Sequence, residues 1–207
     1  MTRVSYFRKC LTVGHFEEAT SKHITLPEDE PTVFARVLEY IYFGRTPYEL
    51  DDPAWNHLRD SIKTKDAEAF PGAVATLRGI CLGLVKFYIL ADKLCVETLM
   101  NLVHDMYRKC YESLDILPVD LETMTDLGPR DGLMRQYALQ QYAVRLHRSG
   151  WDRFRQSRPW LWKGYMASAE NANEFLKIYA KFNTNLATKD AHDICRWHKH
   201  DEMPRCD

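Results

Sequence analysis

From Leu84 to Ala91 the sequence leaves almost no polar face on a helix. Leu84, Phe87, Tyr88 and Ala91 recur at helical spacing, and Val85 and Ile89 widen the apolar surface until it nearly closes round the axis. Such a helix is stable at the centre of a core, so other elements have to be built round it. Directly after it, Leu99, Leu102, Val103, Met106 and Cys110 form one stripe, with Asn101, Asp105, Arg108 and Lys109 expected on the outer side. Residues 84–110 therefore read as a helical hairpin.

A second clear helix precedes it. Asp29, Glu30 and Pro31 form a start signal, because carboxylates favour the positive end of the helix dipole and proline suits the first turn. Phe34, Val37, Leu38 and Ile41 then recur at i, i+3, i+4 and i+7, and Gly44 is placed to end the helix in a left-handed conformation. Upstream, Ile24 and Leu26 alternate with polar neighbours as in a short half-buried strand closed by Pro27. Between 45 and 78 the pattern is lost, with Pro47, Asp51-Asp52-Pro53 and Pro71-Gly72 as breakers. That interval is expected to be an exposed insertion, with Trp55, Leu58 and Ile62 making no more than one amphipathic turn.

The order S-Y-F-R-K-C-L, G-H-F-E-E-A, H-I-T-L-P and P-T-V-F-A-R-V-L-E-Y-I-Y-F-G, from Ser5 to Gly44, resembles the middle of a BTB/POZ domain, especially the divergent fungal type. Leu84 to Leu94 is similar to that family's "LYxLADKL" helix-turn. The resemblance implies an α+β fold, mostly helical with one or few short strands. It is a partial BTB/POZ-like domain over residues 1–110, followed by a linker at 111–132 and a helical extension at 133–190. A Cys/His-containing tail over 191–207 completes the division. A full module of the family opens with two strands, a helix and a histidine-bearing "HKxVL" segment, and this chain starts after them. The expectation is an N-terminally truncated domain that lacks most of the dimer-forming surface, which leaves self-association open.

Linker and extension are read from breakers and stripes. Pro118 and Gly128-Pro129 interrupt 111–132; then Leu139, Tyr142, Ala143 and Leu146, and later Phe175, Ile178, Tyr179 and Phe182, mark two helices. The dense aromatic group Trp151, Phe154, Trp160 and Trp162 is either a stacking platform or the core of a small helical subdomain. The second reading is preferred, since Arg148, Arg153, Arg155 and Arg158 look like solvated flanks.

Composition narrows the function. Apolar residues at 45 % and charged residues at 28 % are globular values. A net charge of −1 gives no electrostatic reason to expect nucleic acid or an anionic membrane. The apolar run from Ile80 to Ala91 is about a dozen residues, interrupted by Lys86, and is read as too short to span a bilayer. Arg3, Arg8 and Lys9 without an apolar stretch do not make an ordinary signal peptide. An intracellular protein of the cytoplasm or nucleus is expected. Cys10, Cys81, Cys95 and Cys110 lie in or beside apolar helical patterns and are expected to be free thiols acting as small hydrophobes.

There is no G-x-S-x-G elbow, no H-E-x-x-H, no phosphate-binding glycine loop and no dinucleotide fingerprint, so no reaction is argued for and a non-catalytic interaction module is expected. Two constellations could carry function. The first is the acidic turn Phe16-Glu17-Glu18. In BTB adaptors of cullin-RING ubiquitin ligases a hydrophobic-x-Glu motif stands here. The resemblance implies that Phe16 enters a pocket on a cullin scaffold while Glu18 supports the turn; otherwise Phe16 folds onto its own core. The second is Cys195, His198, His200 and Cys206, two thiolates and two imidazoles within a dozen residues, the donor types of a tetrahedral zinc site. A zinc-binding regulatory or nucleic-acid-associated module follows from that set, against a polar tail in which the four residues are incidental.

Overall fold

The computed structural model describes residues 20, 21, 23, 29–48, 53–64, 70–112, 121–127, 132–157, 161, 163–182 and 195–201 of the 207-residue chain. Among the described residues there is no strand, and helices account for the regular structure. The strand expected at Ile24 and Leu26 lies outside them. The chain forms two compact units, Met1–Cys110 with Lys199–Pro204, and Tyr111–His198 with Arg205–Asp207.

The first unit contains α1 (Pro31–Phe43), α2 (Pro53–Thr64), α3 (Phe70–Lys93) and α4 (Glu97–Glu112). In α1 the proline occupies the first turn and Gly44 closes the helix at φ 69°, its N–H donating to Tyr40 O at 2.9 Å. Val37 is fully buried, and Phe34, Leu38 and Ile41 are half-buried beside it. Asp29 and Glu30 make no cap in the strict sense. Their carboxylates pair with Lys93, at 2.8 Å, and with Lys86, tying the entry of α1 to α3.

The interval read as an insertion is largely helical. Helix α2 spans 12 residues and buries Trp55 and Ile62 against α3. Its apolar positions are few and widely spaced, and the tryptophan supplies the burial that periodicity did not reveal. Helix α3 starts at Phe70, well before Leu84, and runs 24 residues. By length and composition alone it could cross a membrane, which corrects the shorter run read from the sequence. Its buried face, including Leu77, Cys81, Leu84, Phe87 and Leu90, receives α1 and α2, the arrangement of a core helix.

A Schellman turn joins α3 to α4. Val96 N–H donates to Ala91 O at 2.8 Å and Cys95 N–H to Asp92 O at 3.0 Å, with Cys95 in the left-handed region at φ 55°. Cys95 is exposed, unlike the fully buried Cys81 and Cys110, so it is not a core thiol; Cys10 lies outside the described residues. Val96 and Ala91 are both buried.

In the second unit α6 (Leu133–Ser149) is the hub. Helices α5 (Leu121–Leu127), α7 (Trp151–Ser157) and α8 (Ala169–Phe182) pack on it, as does the 3-10 turn Cys195–Trp197. The expected linker therefore contains a helix, whose Leu121 and Met124 are buried. Seven residues are too few to display a period, so only packing reveals α5. Phe154 is buried edge-on to Tyr142 at 6.3 Å, as expected for a core aromatic. Trp151 is 43 % exposed and meets Tyr179 edge-on at 5.6 Å. Trp160 and Trp162 lie outside the described residues.

Candidate functional site

Phe16 and Glu18 lie outside the described residues, as does Cys206, so neither sequence-predicted set is seen complete. Cys195 opens the 3-10 turn Cys195–Trp197 and is half-buried, and His198 N–H donates to its carbonyl at 3.4 Å. His200 belongs to the other unit in the division of the chain. The tail also has packing of its own, contrary to the expectation of a short polar segment without a core. Trp197 is 3 % exposed and stands edge-on to Tyr137 at 5.4 Å.

The first unit carries a cleft of about 250 Å3 between α1 and α3, lined among others by Glu30, Val33, Arg36, Tyr48, Gly83 and Lys86. Tyr48 is placed by Thr46, whose hydroxyl donates to the Tyr48 carbonyl at 3.1 Å, and its ring meets the edge of Phe87 at 6.4 Å. The Arg36 guanidinium lies 5.6 Å from the centre of that ring and donates to Pro47 O at 3.5 Å. Gly83 is the reason Tyr48 fits. A Cβ at position 83 would overlap the phenol oxygen. The cleft is smaller than most small-molecule sites, and its Lys86 is paired with Glu30.

At its C-terminal end α1 carries two uncovered aromatics. Tyr42 is 74 % and Phe43 72 % exposed, and the Arg45 guanidinium lies 5.6 Å from the Phe43 ring centre. Tyrosine, phenylalanine and arginine together are the residue types enriched in protein–protein contacts. Periodicity places Tyr42 and Phe43 off the apolar stripe of α1, but nothing local distinguishes them as a surface feature.

Two polar arrangements escape sequence reasoning. In the first unit, Asn101, expected on the outer face of α4, is buried and paired with the main chain of Lys199. The Lys199 ammonium lies 3.3 Å from Asp92 and 3.8 Å from Asp201. Partial burial works against its charge, but the hydrogen bond and field of Asp92, with Asp201 behind, outweigh this and raise its pKa. In the second unit, Arg135 is 2 % exposed and donates through Nη2 to Tyr165 Oη at 3.2 Å and to Glu174. Tyr165 O–H donates to the same carboxylate oxygen at 3.0 Å. Burial, with Glu174 adding to it and the Arg135 hydrogen bond opposing, pushes the Tyr165 phenol up to about 12. Partners so far apart in the chain leave no local signal.

Residues 1–62 match the family model of the BTB/POZ domain. No curated protein and no solved structure matches the chain. The matched stretch ends within α2 and takes in α1 with its exposed aromatic end.

Proposed function

We propose that this protein binds other proteins through its N-terminal part as a BTB/POZ-type interaction module, without chemistry of its own, in the cytoplasm or nucleus. The match of residues 1–62 to the BTB/POZ domain carries this reading. The uncovered Tyr42 and Phe43, with Arg45 beside them, support it by offering anchors of the kind that dominate interfaces. Cross-linking of the full chain in cells tests the placement. Partner cross-links are expected on residues 1–62, and cross-links confined to residues 111–198 would overturn it.

The finer reading is a substrate adaptor for a cullin-RING ubiquitin ligase, with Phe16 as the anchor in a cullin pocket and Glu18 supporting its turn. In a titration of the full chain against a purified cullin scaffold, Phe16→Ala is expected to weaken binding by about 2 kcal/mol, roughly thirtyfold. Glu17→Ala should matter far less, because the hydrophobic-x-Glu motif demands no particular side chain at its middle position. Equal binding by wild type and Phe16→Ala removes the adaptor reading at this site.

A further inference from the structure

A carboxamide buried on a helix is costly unless both its donor and its acceptor are met. Asn101 on α4 is 8 % exposed, and a single residue 98 positions away meets both. Its Nδ2 donates to the Lys199 carbonyl at 2.9 Å, and the Lys199 N–H donates to its Oδ1 at 2.8 Å. That double exchange is what a neighbouring strand gives in an antiparallel ladder, so the side chain of Asn101 stands in for a peptide unit and reads main chain. Asp92, in the last turn of α3, reads the side chain through the Lys199 ammonium.

We infer that Asn101 and Asp92 form a docking site on α3 and α4 for a lysine-bearing segment, and that residues 199–201 of the same chain are its occupant. Two hydrogen bonds and one half-exposed ion pair would hold a free peptide no more tightly than the millimolar range. A tethered segment has an effective concentration of that same order, so the contact forms within one chain without an external partner of high affinity. The site is independent of the N-terminal BTB/POZ match.

Amide hydrogen exchange of the full-length protein tests this, read at the Lys199 N–H. Asn101→Leu keeps a side chain of similar size on α4 but cannot read main chain. It should speed exchange at Lys199 about twofold, the whole protection of a contact formed about half the time, while the amides of α3 and α4 keep their rates. Asp92→Asn should speed it by less than that. Trypsin should cut after Lys199 faster in both variants. Lys199→Pro alters nothing on α4 and removes the donated N–H, so it should speed exchange of the Asn101 side-chain amide protons. Unchanged Lys199 exchange in Asn101→Leu, or an unmoved Asn101 side chain in Lys199→Pro, overturns the site. Protection that falls on dilution assigns the occupant to a second copy and overturns the intramolecular assignment.

Discussion

Arg135 shows what a single residue can require of its surroundings. A guanidinium buried to 2 % exposure is tolerable only with an anion beside it, and Glu174 supplies one while Tyr165 bonds to both. The phenol is held protonated, with its pKa raised from 10.0 to about 12, by burial first and by Glu174 next among the causes that raise it. A group whose folded pKa lies above its unfolded value contributes stability that is complete below the unfolded pKa. That contribution is lost as pH rises through the folded one. The unfolding free energy of the second unit is therefore expected to fall between pH 10 and about 12, and Tyr165→Phe should flatten that part of the profile. Denaturant titrations across this range check it, and a slope identical in wild type and variant would refute it.

At the scale of elements, the helix ends and α2 carry the testable consequences. The turn from α3 to α4 places Cys95 at φ 55°, where a Cβ crowds the following carbonyl and glycine would not. Cys95→Gly should stabilise the first unit by about 1 kcal/mol, read as a higher urea midpoint with unchanged slope. Helix α2 argues in the opposite direction. Trp55 is 8 % exposed and packs with Ile62 toward α3, so the interval is part of the core and not a dispensable loop. Trp55→Ala should cost about 3–5 kcal/mol in the stability of the first unit. A loss below about 1 kcal/mol would return this stretch to the status of a surface insertion.

For the whole molecule, the legible part was the set of helices with long apolar stripes. The start and stop of α1 could be read from Pro31 and Gly44, and the presence of helices α3 and α4 from the spacing between Leu84 and Cys110, because capping and periodicity are local properties. The BTB/POZ pattern in the N-terminal part was equally local, and residues 1–62 match that domain. Short helices were not legible: α5 is too brief to show a period, and α2 rests on two buried side chains, Trp55 and Ile62. The polar sites were invisible for a different reason. Asn101 with Lys199, and Arg135 with Glu174, join residues 98 and 39 positions apart, and each partner alone is an ordinary helix-surface residue type. Sequence by itself determined where the chain can be helical and which faces seek burial, since backbone propensity and side-chain hydrophobicity act over a few residues. Tertiary structure alone decided which polar groups are buried together, because a hydrogen bond or an ion pair depends on ångström distances that only the packed helices set.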